Sequence, residues 1–154
     1  MPDHPDRVFR DLLDLIDRYG WAVRHVGAGD GRPAFSYTVG LTASDHAELV
    51  MVGMPPEPAQ AFLNLAGHEV RAGRTFQHGE ITDALTDGAG IGVITVVATE
   101  ELTAVAQVYG EPVQALQLIW PNSKGWFPWE PGYNNAPEAQ PFLGPLPTVW
   151  RRTH

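Results

Sequence analysis

The sequence of 154 residues predicts an α+β fold, a single domain with a mostly antiparallel sheet of about five strands, three helices and a long aromatic, Pro-rich C-terminal loop. Apolar residues at helical spacing mark the N-terminal segment, and two strand-like segments then follow with only a glycine-rich turn between them. Consecutive strands without an intervening helix pair antiparallel, which favours α+β over a doubly wound parallel sheet. Near the C-terminus tryptophans alternate with prolines, and proline excludes a long helix there.

The first element is predicted as a helix over residues 5–19. Leu12 and Ile16 belong to an apolar stripe at helical spacing, while aspartates occupy the opposite face. Pro5 suits the first turn and Gly20 suits the position just after the last turn.

Three strands are predicted next, Trp21–Val26, Ala34–Val39 and Glu48–Met54. The third strand is largely apolar, so we expect it at the centre of the sheet. The glycine-rich run over 27–31 lies between two strands and does not open a helix, as a phosphate-binding loop must. It is therefore predicted as a turn.

The second half of the chain continues the alternation of helices and strands. We expect Thr99 to cap a helix that Gly110 ends. The Pro-rich residues 134–154 are predicted to be extended, with Phe142 and Leu143 packing onto the body. The remaining predicted elements are a helix that starts at Pro55-Pro56-Glu57 and ends at Gly73, and strands over Ile91–Ala98 and Val113–Ile119.

Composition excludes several classes of function. The chain has no cysteine, which removes disulfides, thiolate nucleophiles, iron–sulfur clusters and Cys-based zinc sites. Its formal net charge of −8 argues against a nucleic-acid partner. No apolar run approaches the roughly 20 residues that span a bilayer, and the acidic N-terminus does not resemble a signal peptide. We expect a cytoplasmic protein with no membrane partner.

His46 is the strongest candidate for acid–base chemistry, because imidazole titrates near neutrality. It is predicted at the entry to a strand, with Glu48 close by in sequence and Glu57 at the start of the next helix. The candidate catalytic residues are therefore His46, Glu48 and Glu57. The alternative is an inert turn histidine. No metal site is predicted, since nothing fixes a convergent set of ligands.

The segment Gln117–Tyr133 is the most informative part of the chain. Large rings among prolines are costly to leave in water, so the loop either closes over the core or lines a pocket.

In Phe35–Thr42, alternation sends the rings to one face and the hydroxyl groups of Ser36 and Thr38 to the other, where a ligand or another backbone could approach. The candidate ligand-binding residues are Tyr37, Thr38, Trp120, Trp129, Glu130, Tyr133 and Gln140.

A series of motifs in order along the chain carries a family resemblance. The motifs are Gly20-Trp21, Tyr37–Leu41 (YTVGL), His46–Leu49 (HAEL), Gly53–Glu57 (GMPPE), Tyr109-Gly110, Ala115–Asn122 (ALQLIWPN), Phe127–Tyr133 (FPWEPGY) and Gln140–Gly144 (QPFLG). The chain resembles the bacterial, mainly actinobacterial, family called domain of unknown function 4262.

The resemblance implies a cytoplasmic α+β domain and no particular chemistry. It divides the expected single domain over 1–154 into an N-terminal helix over 1–19, a family core over 20–144 and a tail over 145–154. Two positions depart from the family pattern, with Ala47 in place of proline and Asn122 in place of aspartate. If that aspartate were catalytic, Asn122 would abolish its acid–base role.

Three functions stay open at this point. The first is binding of a small molecule in an aromatic-walled pocket, with the cofactor or ligand unidentified. The second is a protein-interaction module in which the segment Gln117–Tyr133, called the Trp/Pro loop from here on, contacts a partner or a second copy in a homodimer. The third is an acid–base enzyme that uses His46 with nearby carboxylates.

Overall fold

The computed structural model describes residues 5–29, 31–86, 90–135 and 139–151. Its helices are α1 (Pro5–Tyr19), α2 (Pro56–Arg71), α3 (Thr103–Tyr109) and α4 (Thr148–Arg151), with a 3-10 helix over Leu41–Ser44. Its strands are β1 (Ala22–Val26), β2 (Phe35–Val39), β3 (Glu48–Val52), β4 (Ile81–Thr82), β5 (Ile91–Thr95) and β6 (Ala115–Ile119).

The strands form one sheet of six in the order β1-β2-β3-β6-β5-β4. Neighbours pair antiparallel except for β3 and β6, which pair parallel with Leu49 opposite Leu116. The predicted α+β class and its mostly antiparallel sheet are confirmed. After β3 the chain passes through α2 and forms β4 and β5 at the far edge of the sheet. It then returns through α3 and places β6 between β5 and β3, parallel to β3.

Alternation along the strands divides the core between two faces of the sheet. On β3, Leu49 and Met51 join the cluster under α2, while Val50 and Val52 join the cluster under α1 and α3. At the β5–β6 end of this second face lies a third cluster that contains Ile94 and rings from the C-terminal loop. The sheet therefore forms a middle layer, with α2 on one face and α1, α3 and the C-terminal loop on the other.

The predicted elements correspond closely to the observed ones. The helix over 5–19 is confirmed, and the third strand lies at the centre of the sheet as its apolar sequence indicates. Observed strands are one to three residues shorter at their ends than the predicted apolar runs. An optional strand is expected between the second helix and Ile91, and the short edge strand β4 lies there, although two residues offer too little pattern to predict its bounds.

The prediction that Thr99 caps the third helix is wrong. The helix begins only at Thr103, and the residue before it, Leu102, makes no side-chain capping bond. Residues 99–102 instead form a turn in which the Leu102 N–H donates to the Thr99 carbonyl. The hydroxyl of Tyr37 on β2 accepts from the Ala104 N–H at 3.3 Å, so a distant strand residue supplies the missing acceptor.

Two buried glutamines hold the C-terminal segment against the sheet. The Gln117 amide bonds the Pro141 carbonyl at 2.9 Å and the Leu143 N–H at 2.7 Å. Gln140, in the C-terminal segment, bonds back to the residue that follows β6. Its side chain accepts from the Trp120 N–H and donates to the Trp120 carbonyl, both at 2.9 Å. These amides replace the backbone pairing that a neighbouring strand would supply.

The expected extended segment is only partly extended, because α4 adds a short helical turn near its end. Trp150 of this turn is buried in the third cluster, while residues 152–154 of the predicted tail lie outside the described residues. Within the described ranges, the helices are too short or too polar to cross a bilayer.

Gln140→Ala is expected to lower the free energy of unfolding by about 2–4 kcal/mol, since it leaves the N–H and the carbonyl of Trp120 without partners in a buried setting. Urea denaturation of the purified variant measures the loss. Gln114→Ala, at an exposed position just before β6, is the matched control and should change stability by less than about 0.5 kcal/mol. Equal effects of the two substitutions would contradict the role of Gln140 in holding the C-terminal segment against the sheet.

Candidate functional site

Glu48, at the start of β3, is a fully buried carboxylate. Its oxygens accept five hydrogen bonds, two from the hydroxyl groups of Thr38 and Thr42, at 2.7 and 2.6 Å. The other three come from the backbone N–H groups of Gly40, Leu41 and Thr42, at 3.0 to 3.1 Å. Neither of the salt bridges formed by the described residues involves Glu48, so these donors stabilise its charge.

The Glu48 carboxylate therefore organises backbone. It satisfies N–H groups at the start of the 3-10 helix, the donors that a helix leaves unpaired, and it ties the end of β2 to β3. Thr38 completes the link, because its hydroxyl donates to Glu48 and accepts from the Leu49 N–H at 2.9 Å. A carboxylate with no exposed surface cannot exchange protons directly with a substrate.

His46 has both ring nitrogens bonded to backbone. Its Nδ1 lies 2.7 Å from the carbonyl of Ala47, and its Nε2 accepts from the Phe76 N–H at 3.0 Å. A neutral ring with its proton on Nδ1 satisfies both bonds. The imidazole thereby joins the entry of β3 to the loop that follows α2, and neither nitrogen is left for a substrate.

The three candidate catalytic residues point to different surroundings. Glu57 is exposed in the first turn of α2 and lines a shallow depression with His25 and Gln60. No hydrogen bond joins the side chains of His46, Glu48 and Glu57 to one another. Nor do the described residues bring three or more His, Asp or Glu side chains together as metal ligands.

The rings of the Trp/Pro loop pack mainly on each other. Trp129 is stacked on Phe127 at 4.6 Å and on Trp150 at 4.6 Å, with Phe142 tilted nearby at 6.3 Å. A Cβ on Gly92 of β5 would lie 3.2 to 3.3 Å from the Trp150 and Trp129 rings, so glycine lets the stack approach the sheet. The stacking contacts of Trp129 are thus made with other rings of the protein.

The other predicted ligand-binding residues lie in backbone-organising or core positions. Glu130 accepts from the Phe127 N–H at 2.8 Å, and the Tyr133 hydroxyl lies 3.4 Å from the Gln140 amide nitrogen. Tyr37 is buried under α3, on the opposite sheet face from Thr38. The Trp120 ring packs beside the α2-side cluster, and within the described residues its buried Nε1 has no hydrogen-bond partner. The structure thus does not gather these residues around a single cavity.

Asn122 explains how the loop is shaped. Its side-chain oxygen Oδ1 accepts from the N–H groups of Lys124 and Trp126 at 3.0 and 2.9 Å. Its amide nitrogen donates to the Gly132 carbonyl at 3.1 Å and to the Asn134 side chain at 2.8 Å. An asparagine at this position needs both its donor and its acceptor, which indicates a structural role.

An aromatic-walled cleft does exist, at the β1 edge of the sheet between α1 and α2. Its volume is about 460 Å³. We call it the Trp21 cleft, and its lining residues are Leu15, Tyr19, Trp21, Ala22, Val23, Gln60, Asn64 and His68.

Trp21 anchors the inner wall of this cleft. Its indole N–H donates to the Asn64 side-chain oxygen at 3.1 Å, and the His68 ring meets it edge-on at 4.9 Å. A Cβ on Gly67 would lie 2.5 Å from the indole, so only glycine lets the ring rest on the backbone of α2. Tyr19, 60% exposed, forms the outer wall.

Sequence reasoning missed this cleft, although a signal was present. Gln60, Asn64 and His68 are spaced by four residues on α2 and so share one face of the helix. A polar stripe beside an apolar helix face usually faces solvent, and only the position of β1 turns it into the wall of a cleft.

Glu48→Gln is expected to destabilise the fold by about 2–5 kcal/mol, because an amide nitrogen would face N–H donors that now meet a carboxylate oxygen. Thermal and urea unfolding would measure the loss. Glu57→Gln makes the same chemical change at an exposed site of α2 and should stay within about 0.5 kcal/mol of the wild type. A Glu48→Gln protein as stable as the control would refute the anchoring role.

Burial, followed by the negative charge of Glu48, raises the pKa of Tyr109 above its ordinary value. The unfolded chain then loses the phenolic proton first as the pH rises. The contribution of Tyr109 to the free energy of unfolding is therefore intact below about pH 10 and is lost above it. The wild type should lose stability more steeply than Tyr109→Phe above about pH 10. Urea melts of both proteins across that range test this, and parallel curves would contradict it.

Comparison with known proteins identifies the family of the chain. The family described as Domain of unknown function (DUF4262) matches residues 15–134. No similar curated protein and no similar solved structure was found. The matched range includes the Glu48 network, the Trp21 cleft and the Trp/Pro loop, and it covers most of the 154 residues. The chain therefore belongs to the Domain of unknown function (DUF4262) family.

Proposed function

We propose that this domain binds a small planar molecule carrying hydrogen-bond acceptors in the Trp21 cleft. The observation that carries the proposal is the combination of aromatic walls with side-chain amides in a single open cleft. Binding sites for small molecules are concave and largely apolar, with a few placed polar groups that fix orientation.

The polarity of the cleft favours a ligand with acceptors. Gln60 and Asn64 each use their side-chain oxygen within the protein, toward His25 at 2.8 Å and Trp21 at 3.1 Å. With those oxygens engaged, their amide NH₂ groups make no hydrogen bond to another described residue. A ligand carbonyl or ring nitrogen would supply the missing acceptor. Tyr19 offers an exposed ring against which a planar ligand can stack.

The Trp/Pro loop supports a second candidate, a protein-interaction surface. Trp126 is 41% exposed and lies flat against Gly132, so it presents a broad apolar face to solvent. Exposed tryptophan is a favoured interface anchor. The substitution Trp126→Ala would weaken such an interface and leave the Trp21 cleft intact.

The enzyme alternative has less support. The Ser36 hydroxyl lies 2.7 Å from Nδ1 of His25, whose Nε2 bonds Gln60, and this chain of contacts superficially resembles a nucleophile with its base. Ser36 is only 2% exposed, however, so a substrate cannot reach its oxygen in this conformation.

The test is a titration with planar aromatic amides, nicotinamide and benzamide among them, followed by two-dimensional nitrogen–proton NMR. Binding in the cleft should shift the indole N–H signal of Trp21, one of five tryptophans, together with the side-chain amide signals of Asn64 and Gln60. Asn64→Ala should weaken binding by about tenfold, the value of one lost hydrogen bond in a partly buried site.

Trp126→Ala is the control and should bind as the wild type does, since Trp126 does not line the cleft. Shifts that centre on the indole of Trp126, or the absence of any saturable shift near Trp21, would sink the proposal. The first outcome would instead favour the interaction surface.

A further inference from the structure

A second pocket lies on the sheet face opposite α2, near the start of α3. It has a volume of about 80 Å³, and seven of its nine lining residues are apolar, the other two being Arg32 and Glu101. Phe35 of β2, Val52 of β3 and Leu102 before α3 belong to the core cluster of that face, and Leu143 of the C-terminal segment packs against it. No residue of this pocket lines the Trp21 cleft.

The guanidinium of Arg32 lines this pocket. The Arg32 guanidinium lies 5.1 Å from the centre of the Phe35 ring, which forms part of the pocket wall. Its Nη1 donates to the Gly27 carbonyl at 2.9 Å, and its Nε donates to the Glu101 carboxylate at 2.8 Å. These contacts position the guanidinium beside an apolar recess.

The carboxylate of Glu101 already occupies the place that an anionic ligand would take. Its side chain is 57% exposed and that of Arg32 is 31% exposed. An ion pair this accessible is weak, because water screens it and both side chains lose freedom to form it. A competing carboxylate can therefore displace Glu101 at little cost.

We infer that this pocket binds a short-chain monocarboxylate. The carboxylate replaces Glu101 on the Arg32 guanidinium, whose planar fork matches its geometry, and the alkyl chain enters the recess between Phe35, Val52 and Leu143. The apolar wall excludes a second charge, so dicarboxylates and amino acids fit poorly. The inference is independent of the ligand proposed for the Trp21 cleft.

The test is a titration of the intact protein with straight-chain carboxylates from acetate to octanoate, followed by NMR shifts and calorimetry. Affinity should rise by about fourfold for each added methylene until the recess is full, and then level off. The matching primary alcohols lack the charge and should bind at least about tenfold more weakly. Affinity that does not depend on chain length would overturn the inference.

Variants at the two ends of the ion pair should act in opposite directions. Arg32→Gln should weaken binding of hexanoate by about tenfold or more, since it removes the charged donor. Glu101→Gln should tighten it by roughly twofold to fivefold, because the competing carboxylate is gone. The second substitution is at an exposed site and keeps the test valid even if Arg32→Gln folds poorly.

Glu100→Gln is the matched control for net charge. Glu100 is exposed and adjacent in sequence, and it does not line the pocket. It should leave the affinity for hexanoate within about twofold of the wild-type value, as expected for an exposed charge that does not contact the ligand. Equal tightening by Glu100→Gln and Glu101→Gln would show a general charge effect and would contradict displacement at Arg32.

The carboxylate could belong to a free acid or to the C-terminus of a peptide. Titration with an acetylated dipeptide that ends in leucine, beside its C-terminal amide, separates the two sources. Binding of the free-acid peptide more tightly than hexanoate would identify peptide C-termini as the ligand class. Binding of hexanoate alone would identify small acids, and no binding of either would refute the site.

Discussion

The buried carboxylate of Glu48 is the interaction on which the local architecture depends. Five donors converge on it from the end of β2 and from the 3-10 helix, and none of them carries a charge. Removing a carboxylate from water is costly, and that cost is met only while all these donors hold their positions. The network therefore fixes the β2–β3 connection, and with it the central strand that contributes to two of the three core clusters.

The same principle governs the C-terminal third of the chain. Side-chain amides of Gln117, Asn122 and Gln140 take the place of ordinary strand pairing, and stacked rings close the third cluster. A segment rich in proline cannot supply a full set of backbone donors, so side chains provide them. Polar and aromatic residues that would suggest a binding site are thereby used in folding, and the open clefts lie elsewhere.

Much of the fold could be read from the sequence. The stripe that includes Leu12 and Ile16 predicts α1, and the apolar run from Glu48 predicts a central strand, because periodicity reports local burial directly. The surroundings of the candidate site residues could not be predicted from the sequence in the same way. A buried Glu48, a His46 bonded at both nitrogens and a Trp129 stacked on two other rings depend on contacts that composition does not measure.

The sequence by itself determined the order of the longer helices and strands, the absence of cysteine chemistry and the family, since each depends on residue identity and local spacing. Only the tertiary structure decided which polar side chains face solvent. It paired β3 with β6, turned the glutamines inward and opened a cleft beside Trp21, through packing between residues far apart in the chain. Burial is a property of the assembled layers, and the same side chain is a ligand contact or a structural bond according to what lies against it.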